Sequence, residues 1–231
     1  MRKFYSDVAV GEDGTGFTVT LDSRPIKTPM KNALVMPTKK LAQTVADEWI
    51  AQEETIVPAS MPMTTLVNTS IDRVAMRRAE TIAELVAYGH TDLVCYRAEE
   101  PDELVTLQNK TWDPYLGWLQ AKLDIELATT TGVLPLTQSE TAMDRLTGEV
   151  EVLNDFALTA FHAFVSGFGT IVLALAAIHE FKSFEDCWQA SILDQSFQES
   201  LWGTDPEVLA TRERQWQDLL TSVDLWHFVK I

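Results

Sequence analysis

"ASMPMTTL", residues 59 to 66, divides the chain into two kinds of sequence. Pro58 and Pro62 interrupt the two-residue period before them and the 3.6-residue period after them, since proline fixes φ and removes a backbone donor. Ahead of the joint, "FTVTL" alternates, "LDSRPIKTP" turns at Asp22 and Ser23, and "ALVMPT" is another short apolar run leading to the helix cap Thr38. A helix over 38–53 would place Leu41, Val45 and Trp49 on one face. Beyond the joint, Leu66, Ile71, Val74, Ile82 and Leu85 keep helical spacing up to Gly89. The expected fold class is α+β: a small β-rich N-terminal domain with one helix, residues 1–65, followed by an all-α helical C-terminal domain, residues 66–231.

The second part reads as a succession of helices. Pro101 opens one that bears Trp112 and Trp118, and 138–153 forms another. Residues 155–179 form a central apolar helix, Ser183 with Asp186 caps the next, and "TDPE" at 204–207 starts the last with Pro206 in its first turn. "DLVCY" and "DIELA" fit short strands or extended links. The stretch 156–178, "FALTAFHAFVSGFGTIVLALAAI", is long enough for a hydrocarbon core of about 30 Å. It nevertheless carries His162, Ser166 and Thr170 and is flanked by Asp155 and Glu180 instead of basic anchors. A buried helix is therefore expected in place of membrane insertion, with Gly167 and Gly169 allowing close helix contacts.

The formal charge of −16 excludes nucleic acid as a natural partner, because phosphates require Lys and Arg, and it disfavours anionic membrane surfaces. A basic or neutral partner is expected. The charge is uneven: residues 1–65 hold seven Lys+Arg against eight Asp+Glu, and residues 66–231 hold eleven against twenty-six. Cys95 and Cys187 are the only cysteines, far apart and flanked by apolar residues, which fits two buried free thiols in a reducing compartment. "MRKFYSDVAV" leads into a strand without a signal core or an amphipathic presequence, so a cytosolic or already processed chain is expected.

Signatures of catalysis are missing from the sequence. It contains no GxxxxGK[ST], HExxH or GxSxG, and "GEDGTG" precedes a strand where a phosphate cradle would open a helix, so a hairpin loop is expected there. His90, His162, His179 and His227 have no spacing that pairs two ligands on one helix face. No enzyme activity, metal or cofactor is expected.

Two stretches stand apart. In "RPIKTPMK", Arg24, Lys27 and Lys31 interrupt an acidic chain, and strand alternation sends Ile26 and Thr28 to one face and Lys27 to the other. Either this is a solvated edge guarded by Lys and Pro against sheet addition, or it is a docking element. In "SILDQSFQESLWG", residues 191–203, helical winding gathers Cys187, Ala190, Phe197 and Leu201 on one side, with Asp194 in their midst and Gln198 one turn below. A carboxylate on an apolar stripe must be paired, hydrogen-bonded or at the rim, because an isolated buried charge costs several kcal/mol. Asp194 is then either a packing residue or the centre of an exposed protein-binding patch with Phe197, Leu201 and Trp202.

Taken in order, "LDSRPIKTPMKNALVMPTKKLAQTVADEW", "IVPASMPMTTLVNTSID", "YGHTDLVCYRA", "QNKTWDPYLGW" and "LDQSFQESLWGTD" resemble the F1-ATP synthase assembly chaperones that act on the alpha subunit, found in mitochondria and alpha-proteobacteria. The resemblance runs from Leu21 to Asp205. It implies a β-rich N-terminal domain with a helical C-terminal one, and a non-enzymatic holder of the free alpha subunit until the beta subunit arrives. It places the family's sensitive acidic position on Asp194, through "LD" before "FQ" and "WG"; Gln198, Trp202 and Gly203 match, while Gln195 and Ser196 depart from more acidic relatives. A monomer in the bacterial cytoplasm, or in the mitochondrial matrix after loss of a transit peptide, is implied. The competing expectation is a small-molecule-binding protein or hydrolase with carboxylates converging in an interdomain cleft.

Overall fold

The computed structural model describes residues 1–14, 16–132 and 136–230. It has a few strands followed by helices, the α+β class expected from the sequence. Strands β1 (Val8–Asp13), β2 (Gly16–Leu21) and β3 (Arg24–Pro25) form an antiparallel sheet in sequence order, with Val10 opposite Val19. The β1–β2 turn contains residue 15, which lies outside the described residues.

Helix α1 (Lys39–Ile50) packs on this sheet. It starts where Thr38 accepts a hydrogen bond from the Leu41 amide, and it buries Leu41 and Val45 while Trp49 stays half-buried. Helix α2 (Pro62–Thr69) has no side-chain cap of its own at Met61. Glu48 reaches across from α1 and accepts from the Met63 amide at 2.7 Å, the Thr64 amide at 2.7 Å and the Thr64 hydroxyl at 2.6 Å. A carboxylate at a helix N-terminus satisfies orphan donors and meets the positive end of the helix dipole. The helix then widens into a π turn over Ser70–Val74.

The remaining elements are α3 (Arg78–Ala87), β4 (Tyr96–Arg97), α4 (Asp102–Leu123), β5 (Thr130–Thr131), α5 (Glu140–Glu151), α6 (Asp155–Phe168), α7 (Ile171–Ile178), α8 (Phe184–Ser191), α9 (Leu193–Trp202) and α10 (Pro206–Val229). Strands β4 and β5 pair in parallel, so "DLVCY" is a 3-10 turn running into a strand and "DIELA" an extended link.

The single central helix expected over 155–179 is two helices. Gly169 adopts φ +69, where a side chain would be strained, and Thr170 is extended, accepting from the Leu173 amide to start α7. Asp92 fixes the break: fully buried, it accepts from the Thr170 hydroxyl at 2.6 Å and from the Ile171 and Val172 amides at 2.8 and 3.3 Å. Of the two glycines expected in close contacts, only Gly167 has one, since a Cβ there would lie 2.7 Å from Leu219 of α10. Among the described residues no helix is long and apolar enough to cross a membrane.

Contacts divide the chain into two compact units. One comprises Met1–Arg78, Leu153–Ala160 and Leu220–Ile231; the other comprises Ala79–Val152 and Phe161–Leu219. The first has its core at Val19, Leu34, Met36, Leu41, Val45 and Met63. The second centres on Trp112, Leu119, Leu146, Phe161, Phe164 and Leu173. Cys95 and Cys187 are buried free thiols, each pushed up to about 12 chiefly by burial, so neither is a nucleophile at neutral pH.

Candidate functional site

Helix α4 carries an amide on its buried face. Leu104, Gln108, Trp112, Tyr115 and Leu119 recur at helical spacing and are buried, and Gln108 is 1% exposed. A buried amide needs partners on both ends. The Gln108 carbonyl accepts from the Ala98 amide at 2.8 Å, and its NH2 group donates to Asp194 Oδ1 at 2.7 Å. Two polar residues, each misplaced on its own helix's apolar stripe, thus complete one another across 86 positions of sequence.

Neighbouring contacts hold this arrangement rigid. Trp112 Nε1 donates to the carbonyl of Ala190 in α8 at 2.9 Å. The Arg97 guanidinium lies over the Trp112 ring, donates to Val94 O and Asn109 Oδ1, and pairs with Asp113 at 3.0 Å.

The continuous stripe from Cys187 to Leu201 is interrupted in the structure. The chain breaks at Ile192, so Cys187 and Ala190 belong to α8 and are buried, whereas Asp194, Phe197, Gln198, Leu201 and Trp202 lie on α9. Exposure then rises along α9: Leu193 is buried, Asp194 and Phe197 are half-buried, Gln198 is exposed, and Leu201 and Trp202 are 57% and 78% exposed. Trp202 is therefore no core residue. Asp194 stands half-buried at the rim, with one oxygen engaged by Gln108, so it is hydrogen-bonded within its own chain.

Between α4, α8 and α9 lies a groove of about 590 Å³. Leu107, Tyr115, Leu193 and Phe197 supply its apolar lining, and Lys110 and Lys182 its charge, with Asp186 the one carboxylate among the lining residues. These lysines are two of only seven Lys+Arg in the second unit, against twenty-three Asp+Glu. Lys182 lies over Phe181, whose ring stacks on Trp118 with centroids 5.2 Å apart. Pro114 also lines the groove, and its missing N–H deprives the Lys110 carbonyl of its helical partner. An apolar channel with two cations at its edge suits a peptide segment better than a reaction centre. Among the described residues no cluster of His, Cys, Asp and Glu could hold a metal.

Arg24, Lys27 and Lys31 do not join this constellation: they are exposed and belong to the first unit, on β3 and the loop after it. Sequence reasoning missed Gln108, Lys110, Tyr115 and Lys182. The one available signal was Gln108 on the stripe of α4, the counterpart of Asp194 on α9.

A family model described as ATP12 chaperone protein matches residues 2–120. The mitochondrial protein atp12 of Schizosaccharomyces pombe is 23% identical over 215 residues, 88% of this chain and 74% of that one. Atp12 from Paracoccus denitrificans is similar in structure at a TM-score of 0.95, with 36% identity over 99% of this chain and 98% of its own. An aspartate-to-lysine mutant of the P. denitrificans protein gives the same values. A protein of Agrobacterium tumefaciens has a TM-score of 0.93 at 33% identity, covering 99% and 86% of the two chains.

Proposed function

This chain belongs to the ATP12 chaperone family, and from that premise we propose that it serves F1-ATPase assembly by binding the free alpha subunit and holding it until the beta subunit arrives. The client-binding surface is the groove between α4, α8 and α9 together with the exposed end of α9. The observation that carries this reading is the gradient along α9, from the half-buried Asp194–Gln108 pair to Leu201 and Trp202 in solvent beside an apolar groove. Exposed tryptophan and leucine next to a recess have the anatomy of an interface anchor.

The physical logic of a holder follows. A subunit made for a large apolar interface aggregates while alone, and covering that interface lowers the free concentration by mass action. Release requires that the holder not bind too tightly. A small apolar centre within a charged surround gives rapid association and a dissociation rate that a competing subunit can overtake. The protein acts as a monomer without cofactor, in the bacterial cytoplasm or the mitochondrial matrix.

Binding of purified F1 alpha subunit to the full chain tests the surface. Leu201→Ser with Trp202→Ser is expected to weaken affinity by about thirtyfold or more with the melting temperature unchanged. Parent-like affinity would exclude the end of α9. Asp194 is resolved by a pair of variants: Asp194→Lys places an ammonium against the Gln108 NH2 group and abolishes binding, whereas Asp194→Asn keeps an acceptor there. Loss of binding in both, with the fold intact, assigns the charge to recognition; loss in the lysine variant alone assigns the residue to positioning α9.

A further inference from the structure

The basic loop of the first unit is shaped by a carboxylate that comes from outside it. Asp72, on the π turn after α2, is 8% exposed and has no basic partner among its hydrogen bonds. It accepts instead from the Thr28 hydroxyl at 2.6 Å, the Asn32 side chain at 2.8 Å and the Met30 amide at 3.0 Å. Burial pushes its carboxyl up, but these three hydrogen bonds outweigh burial and hold it below the usual range. Within the loop, Thr28 and Asn32 exchange further bonds: Thr28 N to Asn32 O at 3.1 Å and Asn32 N to the Thr28 hydroxyl at 3.1 Å. Lys27 bridges to Ala33, and Lys31 takes φ +69, a conformation that costs a non-glycine residue energy and persists only where its surroundings enforce it.

What this construction presents is polar and apolar at once. Ile26 packs inward against Tyr5, Leu21, Ile56 and Met61, and Thr28 is buried on Asp72. Lys27 and Lys31 are exposed, and among the described residues neither makes an ion pair. Met30 between them is 63% exposed. A solvated edge needs charge, which the lysines supply, but it needs neither a methionine in solvent nor a buried carboxylate fixing the backbone beneath it.

We propose that residues 27–31 are a preformed docking element, held in shape by Asp72, that takes an acidic segment of the client: carboxylates on Lys27 and Lys31, and an apolar recess on Met30. This rests on the client-holding reading above and adds a second contact to it, in the first unit. The partner's chemistry follows from complementarity. Two unpaired cations on a rigid loop attract carboxylates, and an unbranched thioether fits recesses of varied shape. Preorganisation matters because the ordering entropy of the loop is spent in folding, so association does not bear it. Asp72 touches no client and acts as a positioning residue.

The test measures affinity of the full chain for purified F1 alpha subunit across ionic strength. Lys27→Glu with Lys31→Glu is expected to weaken binding by about fiftyfold at low salt and to flatten its salt dependence, and Met30→Ser to weaken it by about tenfold, all without change in melting temperature. Asp72→Asn should weaken binding by about tenfold, while Val74→Ala, a buried neighbour chosen for a comparable loss of melting temperature, should not. Loop variants that bind like the parent, while Leu201→Ser with Trp202→Ser does not, overturn the docking element and leave the α9 surface standing. Equal effects of Asp72→Asn and Val74→Ala overturn the positioning role. A folded parent chain that fails to bind alpha subunit overturns the holder reading and this contact with it. Self-association of the parent that the double lysine reversal abolishes overturns the proposal in favour of a second copy as occupant.

Discussion

The two compact units differ completely in charge and hardly at all in how they treat charge inside. The first holds eleven Lys+Arg and eleven Asp+Glu and is formally neutral, so the second, with seven against twenty-three, carries the whole −16 of the chain. Yet both bury carboxylates without a cation. Asp72 and Glu48 in the first unit, and Asp92 in the second, accept from backbone amides and hydroxyls, joined at Asp72 by the Asn32 side-chain amide. Net charge is therefore a property of the surfaces, where it acts on association rates over a screening length of about 8 Å at physiological salt. The interior follows a different rule: a charge is retained where it caps a helix or pins a loop.

That comparison is most exposed to failure at Asp92. Replacing it with Ala leaves the Ile171, Val172 and Val94 amides and the Thr170 hydroxyl without their acceptor in the second unit's core. Urea unfolding is expected to show a loss of about 4 kcal/mol. A loss under 1 kcal/mol would mean that the break between α6 and α7 is set by Gly169 alone. Glu48→Ala makes the corresponding change in the first unit and should cost about 3 kcal/mol, somewhat less because Glu48 is only half-buried and water can reach the freed amides of α2. Equal losses at both sites would erase the distinction by depth.

The smallest effect is in pH. Burial pushes the Asp92 carboxyl from 3.8 up to about 6, against the pull of its hydrogen bonds from Thr170, Val94, Val172 and Ile171. A folded value above the unfolded one means that folding takes up a proton between pH 4 and 6. The contribution is fully present below pH 4 and is lost as the pH rises through 6. Between those limits the parent should lose on the order of 2 kcal/mol relative to Asp92→Asn, whose side chain does not titrate. Parallel pH profiles for the two proteins would show that the four donors cancel the effect of burial.

Much of this architecture is legible residue by residue. Thr38 and Ser183 cap helices as their spacing indicates, Lys27 faces away from Ile26 and Thr28, and the two cysteines are buried. Local chemistry decides such features, since a cap or an alternating strand is specified within a few residues. The site was legible only in halves. Asp194 and Gln108 each stand out on their own helices as polar residues on apolar faces, but nothing in either segment names the other, because their contact depends on how α4 and α9 pack.

The sequence by itself determined the α+β class, the concentration of acid in its later part, and the motifs of a family of assembly chaperones. Tertiary structure fixed an apolar run of membrane length as two helices, since beside the local Gly169 and Thr170 a carboxylate caps the second from Asp92, nearly eighty residues earlier. It alone decided that Trp202 faces solvent, that Gln108 completes Asp194, and that Asp72 shapes the basic loop. The physical reason is common to all of them. Periodicity records which side of an element is apolar, whereas the partner of a buried polar group is chosen by three-dimensional proximity, for which a one-dimensional pattern carries no coordinate.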